Sequence, residues 1–143
     1  MWRCTSLLVV LFLVSISGCG GNGPYGTKKV NGTILYDDGS VIPADRIELR
    51  FISQEPPVDT KTYPKQGLVD VEVTDGTFSD VSTYVYGGGI IKGKHKIAAM
   101  SLDAKNAPTT AIPPEFNSPD TSTLEIDSSQ TPFKLVIPKP RKK

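Results

Sequence analysis

From Val30 onward the hydrophobic side chains recur at every second position in short runs, and each run is closed by glycine, proline or an Asp-Gly step. A period of two sends alternate side chains to opposite faces of an extended strand, whereas an amphipathic helix needs apolar residues at i, i+3 and i+4. Ile47, Leu49 and Phe51 alternate with Glu48, Arg50 and Ile52, and Val69, Val71 and Val73 alternate with Asp70, Glu72 and Thr74. Further extended runs fall at residues 30–36, 78–81, 83–86, 94–102, 123–126 and 133–137. Asp38-Gly39 and Asp75-Gly76 suit tight turns with glycine at positive φ. Residues 53–66, which hold Pro56, Pro57 and Pro64, read as a long loop because proline cannot donate to a central ladder. Residues 107–119 read as a second Pro-rich loop. The expected fold is all-β: a single antiparallel β-sandwich of about seven strands, burying alternate residues of two facing sheets.

The N-terminus differs in kind. Arg3 is followed by the apolar run 7–14 and then by Ser15, Ile16, Ser17 and Gly18. A basic start, a short apolar core and small residues form a secretory signal, and the run is about half the roughly 20 residues that a spanning helix needs. Ile16, Ser17, Gly18 and Cys19 resemble the bacterial lipobox: an aliphatic residue, two small residues that enter a signal peptidase cleft, and a thiol that carries a diacylglyceryl thioether. Each buried methylene contributes about 0.8 kcal/mol, so two acyl chains anchor stably where one is marginal. The alternative is ordinary secretion with Cys19 free. Gly20, where an Asp would resemble an inner-membrane retention signal, fits an outer-membrane address.

Removing the first 18 of 143 residues leaves 125, with 15 basic and 15 acidic groups. Trp2 and Cys4 leave with the signal, so the mature chain has no tryptophan and Cys19 is its single cysteine. It therefore folds by packing alone, without an internal disulfide. A balanced charge offers no footprint for nucleic acid. The expected organisation is a signal at 1–18, a lipidated Gly-rich flexible tether at 19–29, the sandwich at 30–138 and a basic tail at 139–143. About ten flexible residues reach roughly 17 Å.

Particular residues resemble a family. Val30-Asn31-Gly32-Thr33-Ile34, the turn at Gly39, and Pro43 ahead of Ile47-Glu48-Leu49-Arg50-Phe51 are similar to the opening hairpin of carboxypeptidase regulatory-like domains. Gly89 to Ile97 resembles their later turn and strand, with His95 where tyrosine is usual. Ile112-Pro113-Pro114-Glu115-Phe116-Asn117 and Thr121 to Ile126 are similar to the C-terminal part of small bacterial lipoproteins carrying that domain. The resemblance implies a transthyretin-like, immunoglobulin-like sandwich acting as a non-catalytic accessory module in the cell envelope.

The candidate chemistry is sparse. Gly88 to His95 nearly spells a phosphate loop, but such a loop needs Ser or Thr after its lysine and a helix N-terminus beyond; no nucleotide is expected. His95 is the only histidine, with no serine in a nucleophile elbow, so it reads as a hydrogen-bonded strand residue and no enzyme, cofactor or metal is expected. A hydrolase built on His95 is the third-ranked reading. Transthyretin-like hydrolases of hydroxyisourate use several His and Arg and end in Tyr-Arg-Gly-Ser, unlike this chain. Asp37, Asp38, Asp75, Asp103, Asp120 and Asp127 sit in turns, where they either bond their own backbone or hold calcium. Tyr84 and Tyr86, two apart beside Gly87 to Gly89, form a candidate ligand surface. The expected partners are membrane lipid through acylated Cys19 and an envelope protein meeting the two Pro-rich loops; the alternative is a carbohydrate- or cell-wall-binding module.

Overall fold

In the computed structural model, which describes residues 23–141, nine strands form in chain order. They are β1 (Thr27–Lys28), β2 (Gly32–Tyr36), β3 (Arg46–Ser53), β4 (Gly67–Asp70), β5 (Thr77–Phe78), β6 (Ile90–Ile91), β7 (Lys94–Leu102), β8 (Glu125–Asp127) and β9 (Phe133–Ile137). Among the described residues the only helical turns are 3-10 turns at Pro114–Phe116 and Ser128–Gln130. The chain is all-β. The expected signal at 1–18, Cys19 as the expected lipidation residue, and the last two lysines lie outside the described residues.

The strands form a four-stranded sheet in the order β4-β3-β7-β8, a three-stranded sheet β5-β2-β9 and a short pair β1-β6. Period two is realised most fully in β3, where Ile47, Leu49, Phe51 and Ser53 are buried while Arg46, Glu48, Arg50 and Ile52 are half-exposed. Ile47, Leu49 and Phe51 meet Ile97 and Ala99 of β7, Ile34 and Tyr36 of β2, and Phe133, Leu135 and Ile137 of β9 in one hydrophobic core. Phe51 packs on Phe78 of β5 with ring centroids 5.9 Å apart and a tilt of 54°. Both Asp-Gly turns form as expected, with Gly39 at φ 79° and Gly76 at φ 75°.

Several sequence expectations change. Pairing is not antiparallel throughout: β2 and β9 run parallel, from Gly32 opposite Phe133 to Tyr36 opposite Ile137. A parallel pair needs a long crossover, and almost the whole domain lies between these strands to supply it. The run 69–73 stops as a strand at Asp70, because Gly76 N–H and Glu72 N–H bond Glu72 O and Thr77 O at 2.8 Å and turn the chain over. Residues 83–86 form bends and a turn, not a strand. Gly88 N–H reaches Val85 O at 3.1 Å, and Gly87 and Gly89 take positive φ, so three glycines override the extended preference of the preceding residues.

The domain also begins earlier than residue 30. Tyr25 is buried, and its hydroxyl accepts from Val58 N–H at 3.0 Å while lying 3.0 Å from Pro56 O and 3.2 Å from Thr62 O, either of which can take its single proton. Thr27 and Lys28 pair with Ile91 and Ile90. The second half of the expected tether is therefore part of the fold. The Pro-rich segment 107–119 is not a free loop either: Ile112 and Phe116 are buried in the core, and Ile112 N–H bonds the buried Ser101 hydroxyl at 3.0 Å. At the other terminus Lys139 folds back, its Nζ 2.6 Å from Asp38 and above the Tyr36 ring, so the basic tail is shorter than expected.

Candidate functional site

The groove with the most varied chemistry opens along β4, the edge strand of the larger sheet. Leu68 exchanges two 2.9 Å backbone hydrogen bonds with Ser82, and Val71 N–H turns inward to Ile47 O at 2.9 Å. Strand alternation therefore points the Asp70 N–H and C=O outward. The segment that would cover them leaves to pair with β2, where Phe78 lies opposite Gly32. The result is a groove of about 590 Å³ whose wall includes Leu68, Asp70, Glu72, Asp80 and Tyr86. Arg46 and Glu48 line its other side.

Those two residues belong to a row of charges on one face of β3. Arg46 Nε lies 2.9 Å from Asp70 Oδ1, Arg46 Nη2 lies 3.4 Å from Glu48 Oε2, and Arg50 Nε lies 2.7 Å from Glu48 Oε1. The hydrogen bond that Arg46 donates to the Asp70 carboxylate pushes the guanidinium pKa upward, so Arg46 stays charged. Half-exposed pairs such as these contribute little to stability; their effect is to order donors and acceptors along the groove. Tyr86, 89% exposed, stands at its rim beside exposed Leu68. A flat aromatic face, an aliphatic patch, carboxylates and an open strand edge make a surface for binding a polar partner.

Tyr84 and Tyr86 do not share a face. Tyr84 is half-buried, with its hydroxyl enclosed, and burial raises its phenol pKa. Of the two, only Tyr86 is presented to solvent. Arg46, Asp70 and Leu68 escaped the sequence reading. Their alternation was visible, but their meeting with Tyr86 depends on the β3–β4 register and on the departure of residues 78–81.

His95 lies in β7, 2% exposed. Its Nδ1 sits 3.2 Å from Gly93 O, and since a carbonyl only accepts, Nδ1 carries the proton. Ser53, opposite it in register, turns its hydroxyl to Glu55 N–H at 3.2 Å, so the two make no nucleophile–base contact. Burial lowers the His95 pKa, against the pull of the Gly93 carbonyl and of Glu55 and Asp127. The folded ring is therefore harder to protonate than the imidazole of the unfolded chain, which takes up a proton near pH 6.5. Stability is then expected to fall as pH drops from about 6.5, with a limiting slope of about 1.4 kcal/mol per unit. Urea unfolding between pH 7.5 and 5 measures it. His95→Gln should flatten the profile, and an unchanged slope in that variant would assign the dependence to other groups.

The glycines of the near phosphate loop have a different task. A Cβ on Gly89, at φ 91°, would stand 2.0 Å from Lys28 O, so the glycine admits β1, and the chain beyond Gly93 enters a strand, not a helix. The turn aspartates bond their own backbones: Asp38 accepts from Ser40 N–H at 2.9 Å, Asp75 from Thr77 at 2.8 Å, Asp103 from Lys105 at 2.8 Å and Asp127 from Ser129 at 2.9 Å. Asp37 instead accepts from Lys139 N–H at 3.2 Å. These bonds hold Asp38, Asp75 and Asp127 below the usual carboxylate range, with Lys139 the largest influence on Asp38. No protein-family model, characterised protein or solved structure matches this chain.

Proposed function

We propose that this chain is a lipid-anchored, non-enzymatic protein of the cell envelope, held at the outer membrane through acylated Cys19. Its domain acts as a transthyretin-like sandwich of the carboxypeptidase regulatory-like kind and presents the β4 groove to an envelope protein. The anchoring rests on Ile16-Ser17-Gly18-Cys19 following a short apolar segment. The binding role rests on one observation above all, the exposed Tyr86 ring at the rim of a groove that holds the Arg46–Asp70 pair. Aromatic and arginine side chains are the residues most often dominant in protein interfaces.

A second reading, a carbohydrate- or cell-wall-binding module, is favoured by the same ring lying next to Asp70, Glu72 and Asp80, since a sugar stacks on an aromatic face and donates hydroxyls to carboxylates. One experiment separates the two. A photo-crosslinking phenylalanine analogue placed at Tyr86 should yield a discrete protein adduct in intact cells, and Arg46→Ala should reduce its yield. Saturable binding to purified wall polysaccharide, lost in Tyr86→Ala, would favour the sugar reading. No protein adduct from Tyr86, together with no polysaccharide binding, would remove the groove from the function.

A further inference from the structure

An acylated Cys19 would hold the start of the folded domain within about 14 Å of the lipid. Building on the anchoring reading above, we propose that the loop of residues 54–66 is a membrane-docking surface for anionic phospholipid, with Val58 and Tyr63 as its inserted side chains.

The covalent distance is the first ground. Gly23 lies against the Tyr84 ring so closely that a Cβ there would stand 2.3 Å from a ring carbon. Three residues lie between Cys19 and Gly23, so four Cα–Cα steps join them. Fully extended they span about 14 Å, and as a flexible chain about 11 Å, not the roughly 17 Å of the longer tether that the sequence implied. A headgroup layer is itself about 5–7 Å thick. An acylated Cys19 therefore brings whatever surrounds Gly23 to the bilayer surface.

What surrounds it is the loop. Two residues after Gly23, the Tyr25 hydroxyl is held among Pro56, Val58 and Thr62 of the loop, and Lys65 Nζ stands 5.6 Å from the centre of the Tyr84 ring that supports Gly23. The loop is ordered from within as well: Asp59 accepts from Lys61 N–H and Thr62 N–H, both at 2.7 Å. That order leaves Val58 60% and Tyr63 64% exposed, an aliphatic and an aromatic side chain held out from a fixed turn. Tyrosine, with an apolar ring and a polar tip, is suited to the membrane–water interface.

Charge gives the lipid class. Lys61 and Lys65 lie in the loop, Lys92 stands against Gly26 and Lys28 is in β1, against Glu55, Asp59 and, near Lys28, Asp127. The Asp59 carboxylate is occupied by its own turn, and Glu55 is directed towards Gly93. A net basic end beside two exposed apolar residues is complementary to an anionic leaflet.

The test uses tryptophan fluorescence, because the chain without residues 1–18 has no other tryptophan. Acylated protein carrying Tyr63→Trp, or Val58→Trp as a second probe, is reconstituted into phosphatidylethanolamine/phosphatidylglycerol vesicles. A control probe, Lys105→Trp, lies in the turn beyond the far end of β7, whose eight steps from Lys94 span about 26 Å. The loop probes should show blue-shifted emission and lose most of it with brominated lipid, while Lys105→Trp keeps its emission. Replacing phosphatidylglycerol with phosphatidylcholine should diminish the shift. Unshifted loop probes on protein whose mass shows the acyl group would overturn the docking surface alone, as would equal quenching of Lys105→Trp. Absence of the acyl mass would overturn the anchor, and the docking surface with it.

Discussion

Replacing Phe51 with alanine should lower the unfolding free energy by about 3–5 kcal/mol. Its side chain is fully buried at the inward face of β3 and packs on Phe78, which belongs to the other large sheet. Deleting the ring removes apolar area from both sheets at once and leaves a cavity between β-strands that are held in place by their own ladders and cannot easily collapse into it. Typical domains are stable by only about 5–15 kcal/mol, so the variant should be partly unfolded at growth temperature or close to it. Urea denaturation measures the loss, and Val136→Ala, which shortens a half-exposed residue of β9, provides the comparison at about 0.5 kcal/mol or less. A loss below about 1 kcal/mol for Phe51→Ala would mean that the sheets do not share this core.

Cys19→Ser should abolish incorporation of labelled fatty acid completely. A hydroxyl does not take the place of the thiol in forming the thioether, and cleavage before position 19 follows lipidation, so the variant should also keep residues 1–18. On the proposed anchoring the effect is all-or-none: at about 0.8 kcal/mol per methylene, two acyl chains would far exceed what a few lysines contribute at a surface. Among the described residues no helix is long and apolar enough to cross a membrane. Mass spectrometry of the N-terminal peptide reads both outcomes, and a Cys19→Ser protein that still carries acyl label would refute the anchor.

These two experiments address parts of the molecule that differ in how legible they were. The strand content could be read wherever one face is buried and the other wet: β3 and β9 fall on the runs whose alternation is cleanest. Asp38-Gly39 and Asp75-Gly76 could be read because a turn needing positive φ has few residues to choose from. Legibility failed where a distant residue overrules local preference. Tyr25 reads as part of a Gly-rich tether until Pro56, Val58 and Thr62 meet its hydroxyl, and Ile112 and Phe116 read as loop until the core receives them. Tyr84 and Tyr86 read as one strand face until three glycines reverse the chain behind them.

The candidate site divides in the same way. Ile16 to Cys19, which the proposed function reads as a lipobox, are contiguous, so that reading needs no fold. The β4 groove brings together Arg46, Asp70 and Tyr86, which are far apart in sequence, and no local rule links them. By itself the sequence determined the all-β class, the main strands and the tight turns, since each depends on side-chain periodicity or short-range backbone geometry. Only the tertiary structure decided the parallel closure of β2 on β9, the register that sets Arg46 against Asp70, the separation of the two tyrosines and the true start of the domain. Those are long-range contacts, and their free energy depends on which surfaces remain to be buried once every other strand has found its neighbour.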